Sequence, residues 1–486
     1  MSTPVLPPSP DSGAGEHIVA RASAGARLLT IRGVAMRVVS LGTNVALFAL
    51  VAPADLGLLA VVRGLTALAG NTTDLGFAWA LLRRREAPTR EEYGTLAGIQ
   101  LTLVLLILAV ALAAPSLLTT VGSIAPEWHW WMLAVLATTL VVPFGTSAKV
   151  RIERDMNYRR IAFYDLSSIL FYNAALLTFA ALGKFTLGVF VTTGAFVLYG
   201  NLLLWFWSPG PGPRFVPAEW RRLGREFAGF STGHLCYLLY TSATPILVAN
   251  LFGLSVAGIW AFAVRLGNVL QVAFEGFRRA AVPAAAHLSH ALTSMRRLVE
   301  DTLVGAARLT IPAAAALFAL LPAVHLLWPK WSAAAPVGQV YVLGFALAGL
   351  ASASLVPAAV ALRGPSVVIA EQAAPMVVGW LGFVALRLAG QQQIAWVILP
   401  MHLALVLAVW FVTDRSVRPT WSPELRRLAA ALAVAVVLTV GGQLLALAPL
   451  PVAAAAGAAF VAIWGLPAMR AWLRVSSASA HGERAA

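Results

Sequence analysis

The chain has 486 residues, of which 59% are apolar and only 11% charged. A soluble globular chain carries about 25% charged residues, so a water-soluble surface is excluded here, and the recurring long apolar runs exclude a disordered chain. Lys and Arg number 35 against 20 Asp and Glu, a net charge of +15, and the single cysteine, Cys236, excludes an intrachain disulfide framework.

In a soluble protein that charge would point to nucleic acid. In a membrane chain it points first to basic loops kept on the cytoplasmic side. The position of each charge along the chain separates the two.

Residues 1–27 carry Pro7, Pro8, Ser9, Pro10, Gly13 and Gly15 and read as a disordered cytoplasmic tail. The first apolar run starts near residue 28 without a cleavage site, which argues against a signal peptide. Fourteen spans follow, at about 33–52, 56–80, 96–117, 129–148, 161–182, 186–207, 229–252, 254–277, 304–327, 335–360, 366–388, 393–413, 428–448 and 451–470. The division between the seventh and eighth falls at Gly253, and the fourteenth is Ala-rich. With the N-terminus inside, the inner segments hold 28 of the 35 basic residues, the outer loops three (Lys184, Lys330, Arg387) and the spans four (Arg37, Arg63, Arg265, Arg308). One missed span would invert every later loop, so the asymmetry supports a plasma-membrane protein with both termini cytoplasmic. The +15 is then a signal of topology and not of nucleic acid.

The expected organisation is a tail (1–27), a six-helix bundle (28–208), a cytoplasmic linker (209–228), a second six-helix bundle (229–413), helices 13 and 14 (414–474) and a tail (475–486). Residues 278–303, with His287, Leu288, Leu292, Met295 and Leu298, have the pattern of an amphipathic helix on the inner membrane surface. A short internal repeat pairs residues 56–65 (LGLLAVVRGL) with 257–267 (AGIWAFAVRLG). Each copy begins the second helix of a six-helix group and places an arginine six or seven residues after its glycine, as expected of a transporter built from two related bundles.

Charges inside spans are costly and usually face a partner or a wet cavity. In the second span, Asn71 lies about 80° and Asp74 about 20° from Arg63 at 100° per residue, one polar stripe. In the eighth, Arg265, Asn268, Gln271 and Glu275 fall within about 120°. Arginine suits phosphate because its planar fork donates two parallel hydrogen bonds and stays charged. Arg63 and Arg265, with Arg37, are therefore candidates to hold an anionic head group. The competing readings are structural: Arg37 and Arg308 snorkelling to the inner surface, Arg63 paired with Asp74, and Asp165 and Glu275 at the inner interface. Glu371 and Glu275 are candidates for ion coupling, with packing as the alternative for Glu371.

Trp128, Trp130, Trp131, Trp328 and Trp331 match an interfacial aromatic belt, and Cys236 reads as a core residue. The eight histidines lack metal-ligand spacing, and no Gly-rich phosphate loop or nucleotide-binding domain is present, so no metal or cofactor is expected and an ATP-driven pump is excluded.

Several stretches then resemble a known family. They are VAPADLG (51–57), DLGFAWALLRR (74–84), RDMNYRRIA (154–162), AGIW (257–260) and LWPKWSAA (327–334). Their order and helix placement over roughly 28–413 resemble the bacterial O-antigen-type polysaccharide flippases of the multidrug/oligosaccharidyl-lipid/polysaccharide exporter superfamily. The resemblance implies an all-α membrane protein with two six-helix bundles in a V around a central cavity, plus two C-terminal helices. It implies movement of a polyprenyl-pyrophosphate-linked oligosaccharide to the outer leaflet by alternating access. Membrane lipids, a polysaccharide polymerase and glycosyltransferases are the implied partners, with no nucleic acid. The related lipid II flippases use arginines on helices 1, 2 and 8, which correspond here to Arg37, Arg63 and Arg265; the less basic first helix favours the polysaccharide branch. Two rivals remain. A cation-coupled small-molecule exporter of the same superfamily would favour excess cavity acids, whereas the spans hold four basic and four acidic groups. A membrane glycosyltransferase or polymerase would favour a large outer loop with carboxylates, whereas the outer segments hold only Asp55 and Glu127 as acids.

Overall fold

The computed structural model describes residues 12–71, 81, 88–155, 157–364, 366–420, 422–465 and 467. Among the described residues there are helices and no strands, and 13 helices are long and apolar enough to cross a membrane. A fourteenth, shorter apolar helix follows at Pro449–Gly465.

The spans are α1 (Ser12–Leu50), α2 (Pro53–Asn71), α3 (Arg90–Ala113), α4 (Pro126–Arg154), α5 (Tyr158–Ala181) and α6 (Phe185–Trp207). Then come α7 (Pro217–Leu238 with Thr244–Phe252), α8 (Leu254–His287), α9 (Leu292–Leu320), α10 (Ala334–Arg363), α11 (Ser366–Leu388), α12 (Ala395–Val412), α13 (Pro423–Leu444) and α14 (Pro449–Gly465).

Local chemistry sets the ends. Proline occupies the first helical position of α2, where its missing N–H costs nothing. Asp55 there accepts from the Ala52 amide at 3.1 Å. A reciprocal cap starts α3: Thr89 accepts from the Glu92 amide at 3.2 Å, and Glu92 accepts from the Thr89 amide at 2.9 Å. The break in α4 at Thr139–Val141 coincides with the Thr138 and Thr139 hydroxyls donating to main-chain carbonyls one turn back, each at 2.6 Å. A π-helical turn, Leu239–Ala243, joins the two parts of α7. Gly253 separates α7 from α8 at φ +88°, a conformation open to glycine, at the division expected from the sequence.

The chain divides into two compact units. The first takes in the chain to Leu50, Leu65–Thr120 and Ile124–Ser231; the second takes in Val51–Gly64, Val121–Ser123 and the chain from Thr232 on. In the first unit α1 packs on α5, where Arg32 forms an ion pair with Asp165. The α4–α6 and α5–α6 contacts close over glycines: Gly145 against Asn201, Gly188 against Phe179 and Gly200 against Tyr164. Residues expected to form a linker are also packed. The Arg214 amide donates to the Gly94 carbonyl at 2.8 Å, and Arg222 reaches Glu92 at 2.5 Å; on α3, Gly98 leaves room for the Arg214 backbone and Gly94 for the Arg214 side chain and the Gly212 carbonyl.

In the second unit α10 is the most enclosed span. Small residues on both helices let α8 and α10 approach: Phe274 of α8 fills the space beside Gly349, and Tyr341 of α10 that beside Gly267. Trp260 meets Tyr341 and Phe383 edge-on at 5.6 and 5.5 Å. Helices α13 and α14 belong to this unit and pack against α9.

Four expectations are corrected. The helix α1 begins at Ser12, so residues 12–27 are not a disordered tail; the prolines all precede Ser12, and the Ala-rich segment after them favours helix. Residues 278–303 do not form a surface helix. Instead α8 runs on to His287 and α9 starts at Leu292, with Met295 fully buried and Leu288 and Leu298 packed on the same core as Val299 and Leu355. Leu288, Met295 and Leu298 of the amphipathic face cover protein, while His287 and Leu292 remain exposed. Trp331 is 0% exposed and stacks on Phe262 at 5.3 Å, a core residue and not part of the belt, unlike Trp130 at 74%. Cys236 is only partly buried.

Candidate functional site

The repeat read from the sequence becomes a contact. Gly57 of α2 and Gly258 of α8 stand at equivalent places in the two copies, and the two helices cross there within the second unit. A Cβ on Gly57 would lie 2.8 Å from the Leu254 carbonyl carbon and nearer to its oxygen; a Cβ on Gly258 would lie 2.6 Å from the Pro53 carbonyl carbon and nearer to its oxygen. Each helix thus puts a main-chain carbonyl over the other's glycine, an approach open only without side chains. Gly64, about two turns further along α2, similarly faces the main chain at Ser242 of the α7 π-turn.

Arg63 and Arg265 follow these glycines by six and seven residues, about 9 and 10.5 Å along their helices at 1.5 Å per residue. Each arginine therefore follows the shared contact by nearly the same distance along its own helix, both helix segments belonging to one unit. Arg63 is exposed between buried Val62 and Gly64. Arg265, Asn268, Gln271 and Glu275 are partly exposed on the α8 face opposite Ala263, Gly267, Leu270 and Phe274, which are buried. That division matches the sector read from the sequence. Arg37, on α1, and Asn71, at the end of α2, belong to the first unit; Asp74 lies outside the described residues.

The other titratable candidates have identifiable partners. Glu275 pairs with Arg279 at 2.7 Å, one turn on. Arg308 has a partner on another helix: its guanidinium makes a two-pronged pair with Glu424 of α13 at 2.6 and 2.7 Å. Glu371 is 1% exposed. One of its oxygens accepts from Ser352 of α10, and the other faces Arg278 of α8 at 3.5 Å; Arg278 also donates to the Ser352 hydroxyl at 3.3 Å. Arg278 and Ser352 were missed in the sequence because neither stands out within its own helix. The signal was the isolated Glu371, which demanded a partner. No group of three or more His, Cys, Asp or Glu able to hold a metal occurs among the described residues.

These features define a multi-pass α-helical transporter in which two related helix groups carry arginines in their spans. Comparison with solved structures agrees on the fold. The lipid II flippase MurJ in an inward closed conformation superposes with a TM-score of 0.69 at 11% identity, covering 90% of this chain and 98% of that one. An inward-facing multidrug resistance MATE family transporter of the MOP superfamily gives 0.50 at 11% identity, covering 82% and 95%. A point mutant of the Vibrio cholerae MATE transporter VcmN gives 0.51 at 13%, covering 81% and 96%. No curated protein matches the chain. The polysaccharide biosynthesis protein family matches residues 47–336, and the chain belongs to it.

Proposed function

We propose that the protein is a flippase, not an enzyme, that carries polyprenyl-pyrophosphate-linked oligosaccharide across the plasma membrane by alternating access, for cell-surface polysaccharide synthesis. The observation that carries this reading is the Gly57–Gly258 crossing, which Arg63 and Arg265 follow at nearly equal distances along their own helices, in a polysaccharide biosynthesis family member. The two guanidiniums hold the pyrophosphate, since bidentate recognition of phosphate oxygens is what arginine supplies and lysine does not. Asn268 and Gln271, on the same partly exposed face of α8 as Arg265, meet the sugar, while the polyprenyl tail stays in lipid. Both termini lie in the cytoplasm, and the polymerase and glycosyltransferase partners of such a pathway deliver or take up the glycan. The multidrug exporter reading is the weaker one, since the MATE folds superpose at 0.50 and 0.51 against 0.69 for the lipid II flippase.

The test is substitution of Arg63 and Arg265 by alanine in a cell that depends on this protein for its surface glycan. Loss of surface glycan with polyprenyl-linked glycan accumulating inside is expected. Normal surface glycan at normal protein level would overturn the assignment.

A further inference from the structure

We propose that Arg278, restrained by Glu371, is a proton-linked loading site for a diphosphate head group at the inner end of α8. The inference takes the head group from the flippase reading but stands on a separate cluster. Arg278 lies 13 residues beyond Arg265, about 20 Å along the helix, so it cannot share one diphosphate with it.

The cluster is uneven in burial. The Glu371 side chain is 1% exposed and that of Arg278 39% exposed. Glu371 has its Oε1 bound to Ser352, while its Oε2 has no hydrogen-bond donor and stands at 3.5 Å from the guanidinium. A buried carboxylate is costly unless its lone pairs are met, so the pair is incompletely satisfied on the carboxylate side and accessible on the arginine side. Glu371 here occupies the place that a phosphate oxygen would take. The surrounding groups do not replace Arg278. On α8 itself Glu275 is paired with Arg279. On α7, Tyr237 lies within electrostatic reach of Glu275 and Arg278, a neutral hydroxyl that supplies no charge to either, with the His234 ring 6.3 Å from its own. On α12 the titratable group is His402, which donates from Nδ1 to the Ile398 carbonyl at 2.8 Å.

When a diphosphate takes the guanidinium, Glu371 loses its counter-charge inside a membrane helix and binds one proton from the inner solution. The carboxylate becomes the neutral acid, no other bond changes, and Arg278 exchanges one anionic partner for another. Binding and protonation are then linked in both directions.

The experiment uses the full-length protein in nanodiscs, titrated with farnesyl pyrophosphate and, separately, inorganic pyrophosphate, by calorimetry in buffers of different ionisation enthalpy. The ligand's own protons are common to all variants, so the difference between wild type and E371Q reads Glu371. Up to about one additional proton taken up per diphosphate is expected in the wild type, and none in E371Q, which should bind more tightly. R278Q should weaken binding about tenfold, the loss of one charge-assisted contact. Uptake with farnesyl pyrophosphate assigns the site to a lipid head group; uptake with inorganic pyrophosphate alone assigns it to the free anion and overturns the head-group assignment. Equal proton uptake in wild type and E371Q overturns the proposal. Because E371Q strips Arg278 of its counter-charge, the E371Q/R278Q double variant is the folding control, and a folded double variant that binds like wild type also overturns it. Either failure, with Arg63 and Arg265 variants still blocking export, would leave the flippase reading standing.

Discussion

The Gly57–Gly258 crossing makes a quantitative test of the fold's central contact. In G57A the new methyl would stand 2.8 Å from the Leu254 carbonyl carbon, and in G258A 2.6 Å from that of Pro53. Carbon atoms settle about 3.5–4.0 Å apart, so α2 and α8 must part by roughly 0.7–0.9 Å at least, and the obstructing atoms are backbone that cannot rotate away. Overpacking of this kind costs about 1–3 kcal/mol, and separation forfeits the close Cα–H···O contacts, worth about 0.5–1 kcal/mol each. Replacing glycine by alanine within a helix returns up to about 1 kcal/mol of backbone preference, which leaves a net cost of about 1–3 kcal/mol for each single variant. The decisive feature is non-additivity. Once one methyl has parted the helices, the second meets little, so the double variant should cost about as much as the worse single, a coupling energy of about 1–3 kcal/mol. Unfolding in mixed micelles across the four-member cycle measures it. Single costs under about 0.5 kcal/mol, or costs that add within that margin, would refute the claim that the helices touch through these two residues.

Two further predictions concern the periphery. The Arg308–Glu424 pair ties α9 to α13 with good two-pronged geometry, but it is exposed enough that E424Q should lower unfolding free energy by no more than about 1 kcal/mol. R308E should cost more than E424Q, and R308E/E424R should recover part of that loss; no recovery in thermal unfolding would show that the pair does not hold α13. Asp414, outside the spans, accepts from the Ser416 amide at 2.9 Å and its hydroxyl at 2.7 Å, and these bonds hold its carboxyl below the usual range. Its folded value is depressed, so its contribution is present above about pH 4, the unfolded value, and is lost as pH falls through the folded one. The stability difference between wild type and D414N should be flat from about pH 5 to 8 and shrink in acid; a difference that grows in acid would contradict this.

The candidate residues were legible in the sequence because polar residues in an apolar span are conspicuous. The α8 face that carries Arg265, Asn268, Gln271 and Glu275 is the partly exposed one, since burial on a helix follows its 100° turn and α10 covers the other side. The short repeat marked related helices, and its glycines are the crossing point. What misled was pattern without a partner. The segment around Met295 is amphipathic whether it covers lipid or protein, and Trp331 has the same interfacial composition whether it faces head groups or Phe262. Arg308 read alone gives no sign of its partner, Glu424, which stands more than a hundred residues later in the chain.

The sequence alone therefore determined the class of the protein, the approximate limits of its spans and the gathering of its basic residues into alternate loops. These follow from local hydropathy and from charge counted segment by segment, neither of which depends on how helices pair. It also marked the arginines, because a charge in hydrocarbon is costly wherever its neighbours stand. Tertiary structure alone decided which charges are paired and with whom: Glu371 with Arg278, Arg308 with Glu424, Asp165 with Arg32. Partners on different helices are far apart in the chain, and their meeting depends on small residues such as Gly57, Gly258 and Gly349, whose meaning is invisible until another helix fills the space they leave.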